Sequence, residues 1–488
     1  MSTEKIDITQ GALKRNAIGL PRVVAFTAAM IGPAASIVLG LVVAVSFAGY
    51  STPIVVLLSF AAALLAASGI AVFARRMPSA GSFYTYNSTA LGKPAGFVTG
   101  WLMMFAYVVF APAGLGATSS FFTDFFQAAF KVAIPNGWFV VIIIIVIALL
   151  AYEGINTTAS VDLVILAIEM GVIIALAITI FVSPHAHGPI GASLFNPLNN
   201  FGHSFGHLAL AMVYTVVIFT GFESGATLGE ESRNPHRLIP LGIFGATIVV
   251  GVFYLFVAWA EMHGIVPKVL PTFAASSTQL QFLTSQYWSS SVIWLIDLVV
   301  ALSTLAFTIS TFNAGTRLIF AMGRESMLPK SFGRTSHRST PHMAIIATAL
   351  FTLAVALPMT IAVGGFDCFA YIGGIAGVAF IILYMSLNVG VIVAFRRIYR
   401  EDFRVVRHAV VPVLAILLFA IPLVGTFYPV PAYPYDMLPY IALGWLLVGI
   451  VLSVFLAKRR PERLSKIGRL FIEVDPGDFV AGTGLIGD

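Results

Sequence analysis

Two acidic side chains lie in stretches where acids are rare. Glu223 sits in Thr220-Gly221-Phe222-Glu223-Ser224-Gly225, and Glu169 in Ile165-Leu166-Ala167-Ile168-Glu169-Met170. In hydrocarbon an ionised carboxylate costs at least a few kcal/mol, so it needs a partner, a proton or a cation. Glu223 therefore reads as a group that grips positive charge. Glu169 has apolar neighbours and must face protein rather than lipid. Burial penalises its charged form, which makes it a candidate protonatable switch; the plainer reading is a neutral, hydrogen-bonded structural acid. Around Glu223, Gly221, Gly225 and Gly229 recur every four residues. That spacing fits either an unwound segment or a small-residue packing stripe. Ser303, Thr304, Thr308, Ser310, Thr311 and Asn313 form a hydroxyl-rich run with Asp297 nearer its outer end. Thr304 and Thr308 are candidate ion-site hydroxyls, although such groups often only bond back to their own helix. His185, His187, His203 and His207 cluster in a polar stretch. His203 and His207, four apart, suit a metal pair or a pH sensor, with a solvated loop as the plainer reading.

The elements that must position these groups follow from composition. The 488 residues are 59% hydrophobic and 10% charged, with mean hydropathy +0.95. A soluble domain carries about 25% charged residues, so the bilayer must be the solvent for most of this chain. Apolar runs long enough to cross it fall at 23–46, 54–74, 96–120, 138–153, 158–182, 206–229, 239–262, 291–320, 342–363, 367–395, 409–428 and 437–457. These are spans 1 to 12 below. With the N-terminus inside, 25 of the 27 basic residues fall on inner segments, and only Lys131 and Lys268 fall outside. A missed span would scramble that sorting, so it supports both the count and the orientation, with both termini cytoplasmic; the expected location is the plasma (inner) membrane, multi-pass.

The net charge of +6 lies in short loops between apolar runs, a pattern of membrane orientation rather than of nucleic-acid binding. The single cysteine, Cys368, allows no intrachain disulfide. Residues 1–21 read as a cytoplasmic segment with no cleaved signal peptide. The longest polar stretches, 184–205, 263–290 and the tail 458–488, leave no room for a soluble domain.

Two spans are interrupted. Span 1 contains Ile31-Gly32-Pro33-Ala34-Ala35-Ser36 near its middle, and span 6 contains the Gly221 to Gly225 segment. Alone, Pro33 fits a simple proline kink. Matched interruptions in two halves, however, point to a transporter binding site, with residues 22–182 and 205–396 as repeats of five spans and 408–457 as spans 11 and 12. Broken backbone at membrane depth is tolerated only inside protein or along a watery cavity. No nucleotide-binding loop of the G-x-x-x-x-G-K-[ST] kind occurs, so ATP is not the expected driver. No His, Asp or Cys cluster at one depth suggests an intramembrane enzyme.

Three motifs carry a resemblance. Gly221-Phe222-Glu223 leads into Gly229-Glu230-Glu231 and Asn234-Pro235-His236-Arg237-Leu238-Ile239-Pro240. Asn313 to Arg317 leads into Phe320 to Pro329, then Thr340-Pro341. Met77 to Tyr84 precedes Gly100-Trp101. In this order, over about residues 20–400, they resemble signatures of the amino acid–polyamine–organocation (APC) superfamily. The resemblance implies an all-α membrane protein of about 12 transmembrane helices, a leucine-transporter-type 5+5 inverted repeat with two peripheral helices. It implies a permease that moves an amino acid or amine by alternating access, with proton symport or exchange. A channel or substrate sensor on the same scaffold is the alternative.

Carried over residue by residue, Ile31, Gly32, Ala35 and Ser36 of span 1 and Phe219, Gly221, Phe222, Glu223 and Ser224 of span 6 would bind substrate. Phe219 and Phe222 would form an aromatic lid, and Glu169 and Glu223 would couple protons. Glu169 matches a position where some proton-coupled relatives hold a lysine. Pro33 departs from the Gly-rich pattern and removes one N–H from a carboxylate site, which leaves room for an amine. The implied partners are the small-molecule substrate, protons and the bilayer, with no nucleic acid, cofactor or metal, in a monomer or homodimer.

Overall fold

The computed structural model describes residues 19–77, 82–153, 159–228, 232, 234–325, 327–336 and 340–462. The fold is all-α. Residues 1–18, the Pro78 to Gly81 part of one motif, Gly229 to Glu231 of another, Ser326, and the tail from Arg463 lie outside the described residues. Among those described, ten stretches are long and apolar enough to cross a membrane; one, Leu20–Ala74, takes in both spans 1 and 2, and Leu166–Val182 of span 5 is a shorter apolar helix.

Span 1 is four pieces: Leu20–Ile31, Pro33–Ser36, a π segment Ile37–Leu41, and Val42–Ala48. Gly32 ends the first piece at φ +64°, its N–H bonding the Ala29 carbonyl at 3.0 Å. A residue without Cβ suits this left-handed cap. Pro33 then occupies the first position of the next helical piece, where its fixed φ helps and its missing N–H is not needed. The proline therefore starts a new half-helix rather than bending an old one. Span 6 runs as Phe205–Val217, turns through residues 218–221, and resumes as a 3-10 segment, Phe222–Leu228. Gly221 sits there at φ +109°. Both interruptions read from the sequence are breaks in the helix.

Longer elements frame the breaks. Span 3 is the helix Lys93–Phe130 and packs against span 8, Ile293–Arg324, and span 10, Gly365–Arg397. Span 3 outruns the expected 96–120; in the extension Phe125, Phe126 and Phe130 meet edge-on or tilted, and Phe126 also packs on Phe139 of span 4, Asn136–Glu153. Span 7, Pro235–Gly264, lies on span 2, Thr52–Ala74. Trp138, Ile145 and Leu149 of span 4, and Leu447 and Val451 of span 12 (Leu438–Arg459), are exposed. Exposed apolar faces of this kind suit lipid.

Span 12 is clasped to span 3. Trp101 and Trp445 stack at 4.6 Å, and each indole N–H donates to the other residue's carbonyl, at 3.1 and 3.3 Å. Two of the family-like motifs also meet. The Tyr84 hydroxyl, on the short helix Ser82–Ala90, bonds Glu325 at the end of span 8. Gly100 makes room for that tyrosine, since a Cβ there would lie 2.6 Å from the Tyr84 ring.

Candidate functional site

The two breaks abut. A Cβ on Gly221 would lie 2.6 Å from the Met30 carbonyl oxygen and 3.2 Å from the Ile31 Cα, and one on Gly225 would lie 2.6 Å from the Thr27 hydroxyl. The glycine spacing that left two readings open serves both at its first two members: Gly221 and Gly225 pack on span 1, and the chain unwinds at Gly221, while Gly229 lies outside the described residues. Past the turn, Ser224 N–H bonds the Gly221 carbonyl at 2.9 Å. This winds the chain tightly and buries Glu223, which is 1% exposed.

Three donors reach the Glu223 carboxylate. Tyr107 of span 3 gives its hydroxyl to Oε1 at 2.5 Å; Gly221 N–H and the Tyr384 hydroxyl of span 10 go to Oε2 at 3.1 and 3.2 Å. All three are neutral. Among the described residues none of the partners of Glu223 is cationic, so hydrogen bonds from neutral groups hold the acid.

A second polar centre lies on the other side of the span-1 break. Glu169 of span 5 is 4% exposed. Its carboxyl group faces the Ser303 hydroxyl of span 8 and the Ala34 N–H. Ser303 Oγ in turn accepts from the Ala35 N–H at 2.9 Å. The leading N–H groups of the half-helix Pro33–Ser36, a natural anion site, thus face an acid and a hydroxyl of the protein, and the hydroxyl holds one of them. Ser36 Oγ donates toward two carbonyls, Ile31 at 3.0 Å and Ile218 at 3.2 Å, one from each break. The Tyr254 hydroxyl of span 7 also reaches the Ile218 carbonyl, at 3.0 Å, beside Ser36 and Glu169.

Of the residues expected at the site, Ile31, Gly32, Ala35, Ser36, Gly221, Glu223 and Ser224 gather at the breaks and are buried. Phe222 stacks on Tyr384 at 5.2 Å, next to Glu223. Phe219 stacks on Phe60 of span 2 at 5.9 Å and meets Tyr254 edge-on at 5.3 Å. Thr304 donates to the Val300 and Ala301 carbonyls of its own helix, and Thr308 to that of Thr304, besides meeting Thr118. The span-8 hydroxyl at the acid is Ser303. His203 and His207 point their Nδ1 atoms at the Leu198 carbonyl and the Ser204 hydroxyl, as local loop contacts. Asp297 accepts from Gln281 at 2.8 Å, away from the breaks.

Four residues at the site were missed by sequence reasoning: Tyr107, Tyr254, Tyr384 and Phe307. The last packs over Gly32, its Cβ 3.7 Å from where a Gly32 Cβ would stand. For the three tyrosines the only signal available was a polar ring inside a long apolar run, and Phe307 carried none.

Known proteins resemble this chain in sequence. The family model described as amino acid permease matches residues 24–463. The chain is 24% identical over 438 residues to the branched-chain amino acid permease BcaP of Lactococcus lactis subsp. cremoris, covering 86% of this chain and 90% of that one. It is 25% identical over 441 residues to the methylthioribose transporter of Bacillus subtilis, covering 87% and 89%. It is 26% identical over 285 residues to the low-affinity putrescine importer PlaP of Escherichia coli, covering 57% and 61%.

Proposed function

The chain belongs to the amino acid permease family, and from that premise we propose that it is a secondary active transporter of an amino acid or related amine, working by alternating access. The observation that carries this reading is the junction of the two helix breaks beside Glu223, a buried carboxylate with neutral hydrogen-bond partners. A protonated amine fits there: it supplies the charge that Glu223 lacks, and charge-assisted bonds are the stronger kind. Ile31, Gly32, Ala35, Ser36, Gly221, Phe222 and Ser224 form the surrounding pocket, and Phe307 covers Gly32. Spans 1–5 and 6–10 act as inverted repeats in a bundle of twelve spans, with both termini on the cytoplasmic side of the plasma (inner) membrane.

Glu169 supplies coupling. While ionised, it attracts the Ala34 N–H that it faces. A proton weakens it as an acceptor and frees that donor for the carboxylate of an amino acid cargo, so proton and cargo bind together. A cargo with no carboxylate needs no such exchange, and the site then selects amines. Relatives of both kinds are among those matched.

The test has two steps. Purified protein is screened by thermal shift against amino acids and polyamines, because a ligand of the folded state raises the melting temperature. Hits are then assayed for counterflow in preloaded proteoliposomes. A transporter concentrates labelled substrate against the preloaded pool; a channel does not. Stabilising ligands without counterflow would overturn the transport reading.

A further inference from the structure

At the basic end of the bundle, spans 2, 10 and 11 converge on a cavity of about 320 Å³, remote in sequence from both breaks. It is lined by Arg75 and Arg76 at the end of span 2, by Arg404, Arg407 and His408 leading into span 11, and by Asp402. Arg76 pairs with Asp402 and lies over the Tyr399 ring at 5.6 Å. Arg75, Arg404 and Arg76 all lie within electrostatic reach of Arg407 and repel it. Four guanidinium groups thus line one cavity with a single lining carboxylate. Like charges held together raise the energy of the folded state, and a bound anion relieves that cost.

The floor is shaped for an oxyanion. His408 is 4% exposed and stacks on Phe395 at 3.7 Å. Its Nδ1 accepts the Arg404 backbone N–H at 3.0 Å. A neutral ring that accepts at Nδ1 carries its proton on Nε2, so His408 enters the lining as a hydrogen-bond donor. The end of span 2 is anchored as well, through His236 Nδ1 and the Arg75 carbonyl at 2.8 Å. Guanidinium forks match phosphoryl oxygens two at a time. Basic pockets between spanning helices on the cytoplasmic side suit anionic head groups.

We propose that the cavity between Arg75, Arg76, Arg404, Arg407 and His408 binds a phosphoryl-bearing anion, distinct from the cation held at Glu223. The group can come from an anionic phospholipid or from a soluble phosphate compound, and the experiment separates these sources. Full-length protein in detergent is titrated with dioleoylphosphatidylglycerol, with dioleoylphosphatidylcholine, and with inorganic phosphate against chloride at equal ionic strength. Melting temperature and bound adducts by native mass spectrometry are read.

Retained phosphatidylglycerol with no response to phosphate assigns the lipid source; stabilisation by millimolar phosphate assigns the soluble one. In either case Arg404→Gln with Arg407→Gln weakens binding by roughly tenfold per lost guanidinium contact. Lys458→Gln with Arg459→Gln, at the end of span 12, leaves it unchanged. Equal retention of the two lipids with no phosphate response overturns the proposal, as does binding that the cavity variant leaves intact. Should that double variant fail to fold, Arg404→Lys, which keeps the charge but loses the fork, is expected to weaken binding several-fold; an unchanged affinity also overturns it.

Discussion

Replacing Glu223 by Gln separates charge from structure. The side chain keeps its shape, and one oxygen becomes an NH2 group. Its neighbours are two hydroxyls, from Tyr107 and Tyr384, and the Gly221 N–H. The backbone N–H can only donate, so the amide oxygen must stay with Gly221 and Tyr384. The NH2 then faces Tyr107, whose hydroxyl turns to accept. The cost is one weakened hydrogen bond, about 1 kcal/mol, which a protein of this size tolerates. A bound amine loses far more. A hydrogen bond to a charged partner contributes about 1.5–3 kcal/mol, so affinity should fall by about 10- to 150-fold. The assay pairs size-exclusion profiles of the detergent-solubilised variant with its Kd and its uptake in proteoliposomes. The variant should elute as the parent does and transport poorly. A well-folded Glu223→Gln protein whose Kd and uptake stay within twofold of the parent refutes the assignment of Glu223 to the cargo.

Other outcomes follow from the same geometry. If Glu169 carries the coupling proton, uptake by the parent falls as external pH rises, because the protonated acid is the species that frees the Ala34 N–H; in Glu169→Gln the pH profile is flat, and a profile that still slopes removes Glu169 from coupling. Ser303→Ala leaves the Ala35 N–H without the oxygen it bonds at 2.9 Å, a loss of about 1–3 kcal/mol that a lower melting temperature reports. Gly221→Ala puts a methyl 2.6 Å from a carbonyl oxygen at a φ of +109°, so folded yield should drop sharply, whereas Gly444→Ala, with nothing within 4 Å, should leave it unchanged.

The parts of this molecule that the sequence made legible are those with a local signature. Long apolar runs mark spans because lipid offers no other solution, and the Gly32-Pro33 pair marks a break because two residues with unusual backbones adjoin. Glu223 was legible as a lone charge in an apolar run. Tyr107 and Tyr384 were not, since each meets Glu223 across 116 and 161 residues of chain, and a tyrosine in a span looks the same whether its hydroxyl holds an acid or merely packs. Span 8 shows a second limit. Composition gave the density of its hydroxyls but not their phase around the helix. Ser303 and Thr304 are neighbours in sequence yet point about 100° apart, and only Ser303 faces the acid. Pro33 shows a third: a missing N–H matters only relative to where the new helix begins, which no residue type reports.

The Ser36 hydroxyl has a single hydrogen and two carbonyls within reach, one from each broken helix. It can point well at only one of them at a time. When it swings to Ile31, the Ile218 oxygen still holds Tyr254, so that carbonyl is not stranded. Separating the two half-helices therefore trades one partner for another instead of rupturing a bond in a dry interior, where an orphaned carbonyl is costly. In the proposed alternating-access cycle, the junction would act as a hinge whose pin changes hands.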